Sequence, residues 1–156
     1  MHTRAYFFKI KDEIVKQLHT AKVSVFVAVA WLTDEDLIRE LSKLSSTGVK
    51  VTVVMSNSDQ NFLHPERFKS FLNNGAELFV CNAIFMHHKF CIIDDHGLIN
   101  GSYNWSYNAR GSEENIIIHR VEANDAPAQT LLKQFLFRFQ NIIITLPIFE
   151  TKSLVI

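Results

Sequence analysis

The chain has 156 residues, and this length predicts one domain spanning residues 1–156. Hydrophobic residues make up 47% of the sequence and charged residues 21%, a composition of globular proteins that excludes disordered and collagen-like classes. Lys plus Arg (16) balances Asp plus Glu (16), so binding of a polyanion through bulk charge alone is excluded and any phosphate recognition has to be local.

The first half of the chain alternates helix-forming and strand-forming segments. The predicted elements, in chain order, are a helix at Phe7–Leu18, a strand at Val23–Ala30, a helix capped by Thr33 or Asp34 and ended by Gly48, a strand at Val51–Met55, a helix begun by Pro65 and ended by Asn74-Gly75, and a strand at Glu77–Cys81. Strands that alternate with helices of this length are joined by right-handed crossovers, which makes neighbouring strands parallel.

The pattern changes after about residue 86. Two strand-like segments, His87–Asp94 and Leu98–Asn104, are joined by the turn signal Asp95-His96-Gly97, which predicts an antiparallel hairpin. A further strand is predicted at Asn115–Val121 and a closing helix at Ala126–Phe139. The fold class is therefore α/β, with a mixed β-sheet flanked by helices.

Four polar residues in the predicted hairpin are spaced so that they share one face of the sheet. Side chains two positions apart in a strand point the same way, so His87 shares a face with Lys89. Ser102 shares a face with Asn104 for the same reason. If the hairpin loop has an even number of residues, Lys89 lies opposite Ser102. His87 then lies opposite Asn104.

This predicted patch has the chemistry of a phosphate site. Lys89 counters the charge of a phosphate, and Ser102 and Asn104 add directed hydrogen bonds. His87 is the one group of the four able to attack phosphorus near neutral pH. The spacing therefore predicts catalysis at His87 and phosphate binding by the other three residues.

Three carboxylates lie near the patch in sequence. Asp94 has the opposite parity from His87, so a regular strand sends it to the other face, and we interpret it as a structural carboxylate. Glu113 or Glu114 precedes the next strand and is able to return to the patch. A carboxylate there would fix the tautomer of the His87 ring and stabilise its protonated form.

At this point the sequence resembles a known family. The residues His87-His88-Lys89-Phe90-Cys91-Ile92-Ile93-Asp94, followed by Gly101-Ser102-Tyr103-Asn104 and by Glu114-Asn115, are similar to the complete HKD signature of the phospholipase D superfamily. The helix and strand order before the motif is also similar, so the resemblance covers nearly the whole chain. In that signature, Asp94 and Gly101 are structural positions.

The resemblance implies a metal-independent phosphodiesterase that forms a covalent phosphohistidine and needs no cofactor. Two copies of the motif make one active site in this family, and this chain has one copy, so the resemblance implies a homodimer with a shared site, as in small single-motif members. His87 of one subunit would attack and His87 of the other would protonate the leaving oxygen. Lys89, Ser102 and Asn104 would bind the phosphate, and Glu114 would orient His87.

Several substrates and roles remain open at this level. We expect an endonuclease acting on DNA or RNA, with phospholipase D-type hydrolysis or transfer on phospholipids as the alternative. A third reading, from a different class, is a non-catalytic phosphate-binding dimerisation module. Trp31 and the loop Ser56–Asn61 follow predicted strands where α/β sheets place ligand contacts, and we assign them to the substrate rim.

Other residues favour less specific interpretations. His87, His88, Cys91 and His96 do not form one predicted face, so no metal site is expected. Tyr103, Trp105 and Tyr107 could stack on bases, but packing is the more common use of aromatic residues and is the one we expect. Cys81 and Cys91 lie in apolar runs, as buried thiols do in the reducing cytoplasm. No apolar run reaches the ~20 residues that cross a bilayer, so we expect no integral membrane association.

Overall fold

The computed structural model describes residues 2–82 and 84–144. It contains a seven-stranded mixed sheet with helices on both faces, which confirms the predicted fold class. The strands are β1 (His2–Tyr6), β2 (Ser24–Val29), β3 (Lys50–Ser56), β4 (Glu77–Cys81), β5 (Lys89–Ile93), β6 (Gly97–Gly101) and β7 (Ile116–Arg120). The helices are α1 (Ile10–Leu18), α2 (Glu35–Ser46), α3 (Asp59–Phe62), α4 (Lys69–Asn73) and α5 (Ala126–Ile144), with short 3₁₀ turns at Pro65–Phe68 and Asn108–Gly111.

The sheet consists of a parallel half and an antiparallel half. Its strand order is β1-β7-β6-β5-β2-β3-β4. β2, β3 and β4 run parallel, as the strand–helix alternation predicts. β5 joins β2 in the antiparallel sense, and β6, β7 and β1 continue that half. The two halves therefore meet at the centre of the sheet, between β2 and β5.

Alternate side chains of the central strands fill two separate cores. Cys91 and Ile93 of β5 lie in the larger core, beneath α1, α2 and α4. Phe90 and Ile92 lie in the smaller core, beneath α5. None of the helices within the described ranges is both long and apolar enough to cross a bilayer.

Three elements differ from the sequence predictions: the first strand, the first helix and the last helix. Residues 2–6 form an edge strand that pairs with β7, whereas the sequence pattern placed no element there. The helix predicted from Phe7 begins at Ile10, because Lys9 takes a left-handed conformation with φ of 51° that breaks the helix. The closing helix has the predicted start but continues five residues beyond Phe139, to Ile144.

The predicted register of the hairpin is wrong. Phe90 pairs with Asn100 and Ile93 pairs with Gly97, so the loop has three residues rather than an even number. The odd loop is possible because Asp94 takes a left-handed conformation with φ of 49°. Ser102 therefore does not lie opposite Lys89 in a ladder, and the chain leaves β6 after Gly101.

The carboxylate of Asp94 ties this loop to the start of β2. It accepts hydrogen bonds from the backbone nitrogens of Lys22 (2.8 Å), Val23 (2.9 Å) and Ser24 (2.7 Å). Burial acts to raise the pKa of Asp94, but the three donors lower it by more, and the pKa lies below its ordinary value. The charged carboxylate thus anchors the far end of the central strands.

A second buried carboxylate ties α2 to the segment after β6. The Asp34 side chain is fully buried and caps α2 by accepting from the backbone nitrogens of Asp36 (3.0 Å) and Leu37 (3.4 Å). It also forms a bidentate ion pair with Arg110, whose Nε lies 2.7 Å from Asp34 Oδ2. The hydrogen bond to Asp34 is the largest cause of the raised pKa of Arg110.

We expect Arg110→Met to destabilise the fold by about 3 kcal/mol, because it leaves the Asp34 charge buried without its partner. Urea unfolding at pH 7 measures the change. Arg39→Met is the matched control, since Arg39 is 59% exposed and pairs with Asp36 at the surface. That variant should lose less than about 0.5 kcal/mol. Equal losses in the two variants would contradict the role of the buried pair.

We expect Asp94→Asn to lose about 2 kcal/mol at pH 7, the size of hydrogen bonds to a charged group. Because the folded-state pKa is lowered, the charge stabilises the fold above the ordinary Asp pKa of about 3.9, and this stabilisation disappears as pH falls through the folded-state pKa. The difference between wild type and variant should therefore shrink at pH 3. A difference that is the same at pH 7 and pH 3, measured by urea unfolding, would show that the charge is not responsible.

Candidate active site

Most of the residues singled out from the sequence lie at one edge of the sheet. β2 ends there at Val29, which pairs with Lys89 at the start of β5. β6 also ends there, at Gly101, which pairs with Ile116 at the start of β7. The edge therefore collects the segments that follow β2, precede β5, follow β6 and precede β7.

His87 is exposed and lies just before β5 rather than within it. Its ring stacks on Phe85, with the centroids 5.3 Å apart and the planes at 29°. The Trp31 ring meets it edge-on at 6.0 Å and 81°. The imidazole is thus presented to solvent between two aromatic side chains.

Lys89 lies beside His87 at the start of β5. Its Nζ donates a 2.8 Å hydrogen bond to the backbone oxygen of His87. Partial burial lowers the pKa of Lys89, and the negative charge of Glu114 opposes this effect. Lys89 and Glu114 are therefore close enough to interact, so the lysine charge lies on the same side of the edge as the segment before β7.

Ser102 and Glu114 are in direct contact. The Ser102 hydroxyl donates to a carboxylate oxygen of Glu114 and accepts a 3.0 Å hydrogen bond from the backbone nitrogen of Asn115. The structure thus joins Glu114, and not Glu113, to the predicted phosphate-binding residues. The contact with Ser102, rather than with the His87 ring, is the one the structure describes for Glu114.

Gly101 allows β6 and β7 to approach closely at this edge. A Cβ atom at position 101 would lie 2.1 Å from the backbone oxygen of Asn115 and 2.8 Å from Cα of Ile116. Neither neighbour is a flexible side chain, so a larger residue would push the strands apart. The absence of a side chain at Gly101 brings Ser102 against the start of β7.

The residues that follow Ser102 are mostly buried. Asn104 is 7% exposed, and its Oδ1 atom has no hydrogen-bond partner among the described residues. Tyr103 and Trp105 are 3% and 2% exposed, which confirms that they pack in the core. Burial is the main cause that raises the pKa of Tyr103 to about 12. Tyr107 is different, because it is 67% exposed with the Arg110 guanidinium 5.1 Å from its ring centroid.

Of the residues predicted to form the substrate rim, Trp31 lies at this end of the sheet and two others are buried. Trp31 follows β2 at the same edge, and its Nε1 donates to Ser58 Oγ at 3.1 Å. Ser56 and Asn61, at the two ends of the predicted rim loop, are fully buried and so do not belong to a rim. The Asn61 side chain instead bonds to the backbone of residues 30, 32 and 56, at 2.9, 2.8 and 2.7 Å, and locks the ends of β2 and β3 together.

His88 points away from His87, towards α5. Its Nε2 lies 3.3 Å from Nε of Arg138, and its ring meets the edge of Phe90 at 5.6 Å. Burial is the main cause that lowers the pKa of His88, followed by the charge of Arg138. In the described part of the chain, no three His, Cys, Asp or Glu side chains are grouped as metal ligands.

The sequence did not reveal the roles of two residues at this end of the sheet. Phe85 stacks on His87 and precedes it by two positions. The signal in the sequence was a large aromatic residue close to a candidate nucleophile. Asn61 gave no signal, because its role depends on backbone groups from two strands that only the fold brings together.

Solved structures share this fold. Nuc, a phospholipase D family member from Salmonella typhimurium, superposes with a TM-score of 0.79 at 18% identity, over 92% of this chain and 94% of that one. NucT from Helicobacter pylori superposes with a TM-score of 0.72 at 19% identity, over 92% and 96% of the two chains.

Curated relatives are similar over most of this chain. A mitochondrial cardiolipin hydrolase from Chlamydomonas reinhardtii is 29% identical over 119 residues, 75% of this chain and 51% of that protein. A cardiolipin synthase from Clostridium perfringens is 26% identical over 94% of this chain and 32% of that protein. The chain thus spans about half the length of the hydrolase and a third of the synthase.

A family model described as "Cardiolipin synthase, PLD-like domain" matches residues 14–143, which include every strand except β1 and every residue of the edge described above from Trp31 to Asn115. The seven-stranded mixed sheet flanked by helices matches the fold of Nuc. The chain therefore belongs to the phospholipase D superfamily.

Proposed function

We propose that the protein is a metal-independent phosphodiesterase in which His87 forms a covalent phosphohistidine, and that it cuts DNA or RNA as an endonuclease. The observation that carries this proposal is the exposed imidazole at the same sheet edge as Lys89 and the Ser102–Glu114 pair. A nucleophile, a cation and a hydroxyl at one edge suit a transferring phosphoryl group, whose charge has to be countered locally. The balanced net charge of the chain agrees with such local recognition.

The proposed reaction has two displacements. In the first, a ring nitrogen of His87 forms a bond to phosphorus, the bond to the leaving oxygen breaks, and the leaving oxygen takes a proton from His87 of the partner subunit. In the second, a water oxygen attacks phosphorus and gives its proton back to that second histidine, and the P–N bond breaks. Lys89 counters the phosphate charge throughout, and Ser102 and Asn104 supply hydrogen bonds.

Ser102 and Glu114 need a change of partner to act in this way. The Ser102 hydroxyl donates to Glu114 in the structure, so phosphate binding by Ser102 requires that hydrogen bond to be exchanged. Such an exchange would free the carboxylate to accept from the His87 ring, which fixes the tautomer of a general base or nucleophile. Asn104 is buried, so its contribution is through its amide at the wall of the site.

A second subunit is part of the proposal because this sequence carries one motif and the mechanism uses two histidines. Several large apolar side chains are exposed around the edge: Phe7, Phe8, Leu63, Ile84, Phe85 and Tyr107. A second copy of the chain facing the end of the sheet that carries the site would cover part of this apolar surface and bring the two His87 rings together. The homodimer is thus supported by the exposed apolar surface as well as by the chemistry.

Aromatic side chains beside His87 support nucleic acid as the substrate. Trp31 is half-buried and Phe85 is 57% exposed, and both rings contact that of His87. Exposed aromatic faces next to a phosphate site stack on the bases of single strands. We therefore assign the rim of the site to a single-stranded or locally opened nucleic acid.

Phospholipid is the second candidate substrate, and two observations favour it. The curated relatives are named for cardiolipin, a phospholipid. Phe7 and Phe8 follow β1 at the end of the sheet that carries the site, and they are 60% and 82% exposed. Exposed phenylalanine side chains of this kind enter the interface of a bilayer. Lipid hydrolysis or headgroup transfer would use the same His87 and Lys89.

We expect wild-type protein to cut end-labelled single-stranded DNA or RNA in excess chelator, and His87→Ala to cut at least about 10³-fold more slowly because the nucleophile is lost. His19→Ala is the matched control, since His19 is also exposed but follows α1 and pairs with Glu40. It should cut at the wild-type rate. Equal cutting by wild type and His87→Ala would contradict the assignment of the nucleophile.

The same proteins should then be tested on vesicles that contain cardiolipin. Release of phosphatidate by wild type and not by His87→Ala, without cutting of nucleic acid, would assign the site to phospholipid. Activity on neither substrate would support the non-catalytic phosphate-binding module instead.

We expect mixtures of wild type and His87→Ala to show that one site uses both subunits. After free subunit exchange at equal amounts, about one quarter of the dimers keep two His87 residues, so activity should fall to about one quarter of that of wild type at the same total concentration. Independent sites would retain about one half. Sedimentation equilibrium that finds only monomer at the assay concentration would contradict the shared site.

A further inference from the structure

Phe85 is the side chain most closely associated with the His87 ring. The two rings are stacked, with centroids 5.3 Å apart and planes at 29°. Phe85 remains 57% exposed, so only part of its surface is covered. Its position is therefore not explained by packing in either core, and its contact with His87 is the feature that distinguishes it from other exposed phenylalanines.

Trp31 completes the surroundings of the imidazole. Its ring meets His87 edge-on at 6.0 Å and meets Phe85 at 6.3 Å and 55°. The orientation of Trp31 is itself fixed, because its Nε1 donates to Ser58 Oγ. The three rings thus form a cluster, and the hydrogen bond from Trp31 attaches this cluster to the loop after β3.

The hydrogen bonds of Lys89 and Glu114 do not involve the imidazole ring of His87. Lys89 donates to the backbone oxygen of His87, which fixes the main chain but leaves the ring free to turn about its side-chain bonds. Glu114 accepts from Ser102. Within residues 2–82 and 84–144, the contacts of the imidazole ring itself are those with Phe85 and Trp31.

We infer that Phe85, supported by Trp31, is a positioning residue that holds the His87 ring at the angle needed for attack on phosphorus. The inference rests on the proposed role of His87 as nucleophile. Stacked aromatic rings favour an offset parallel arrangement, which restricts rotation of the imidazole while both of its nitrogens remain accessible. Attack in line with the leaving oxygen demands such a restricted geometry, and small misplacements of reacting atoms slow a reaction strongly.

The kinetic test compares Phe85→Leu, Phe85→Tyr and Phe137→Leu on the small diester bis(4-nitrophenyl) phosphate. Leu keeps an apolar side chain but has no plane to stack, so kcat should fall about tenfold with little change in KM. Tyr keeps the ring and should restore kcat. Phe137 is 67% exposed on α5, has no contact with His87, and should behave as wild type when replaced. Wild-type kcat in Phe85→Leu would overturn the inference.

A spectroscopic readout separates positioning from a general loss of structure. In protein labelled with ¹⁵N-histidine, the carbon-bound ring protons of His87 should show an upfield ring-current shift that Phe85→Leu removes and Phe137→Leu leaves. Unchanged His87 shifts in Phe85→Leu would overturn the stacking even if kcat fell. Presence of the stacking shift in a wild-type protein without any diesterase activity would overturn the proposed function and leave a purely structural contact.

Discussion

The buried ion pair between Asp34 and Arg110 holds together the two segments on which the functional edge depends. Asp34 follows β2 and begins α2, while Arg110 lies in the short turn after the motif residues. The backbone oxygen of Trp105 accepts from the nitrogens of Thr33 and Asp34, at 2.9 and 3.0 Å, so the two segments are also joined along the main chain. Because Asp34 is fully buried, its charge is compatible with folding only when Arg110 reaches it.

This attachment explains how a short polar motif is held at the end of a sheet. Tyr103 and Trp105 are buried on the α1–α2 side and alternate with Ser102 and Asn104. Their burial fixes the path of the chain after Gly101, so the exposed Ser102 remains against Glu114 and Asn115. Tyr103 and Trp105 therefore act on the site through packing, and the two rings that contact His87, those of Phe85 and Trp31, come from other segments.

The sequence was sufficient for the fold class and for most elements, because apolar periodicity reflects which face of each element is buried. The strand Glu77–Cys81 and the start of the closing helix were predicted at their observed positions. β1 was missed because all but the last of its residues are exposed and give no alternation. The hairpin register was wrong because it depended on the number of loop residues, which a left-handed Asp94 changed.

For the site, the sequence placed His87, Lys89 and Ser102 together, and the structure places them at one end of the sheet but in a different hairpin register. The resemblance to the family depends on residue types and spacing, so the error in the hairpin register does not affect it. The argument that the four polar residues share one face of a hairpin did depend on that register. Ser102 and Glu114 meet because Gly101 lets two strands approach, a contact between backbones that no periodicity encodes. The role of Asn61 escaped notice for a related reason, since it bonds to backbone groups about 30 residues away in sequence. Phe85 is close to His87 in sequence, but their stacking depends on ring orientations before β5 that no periodicity encodes.

The first strand also has a consequence for the solubility of the folded chain. β7 contains Ile116, Ile117 and Ile118, and β1 covers the hydrogen-bonding edge of this apolar strand. β1 itself presents His2, Thr3 and Arg4, which are polar and exposed. Polar and charged residues on an edge strand discourage edge-to-edge pairing between molecules. β1 thus replaces an aggregation-prone isoleucine edge with one that resists strand pairing between molecules, although only its last residue, Tyr6, packs against a core.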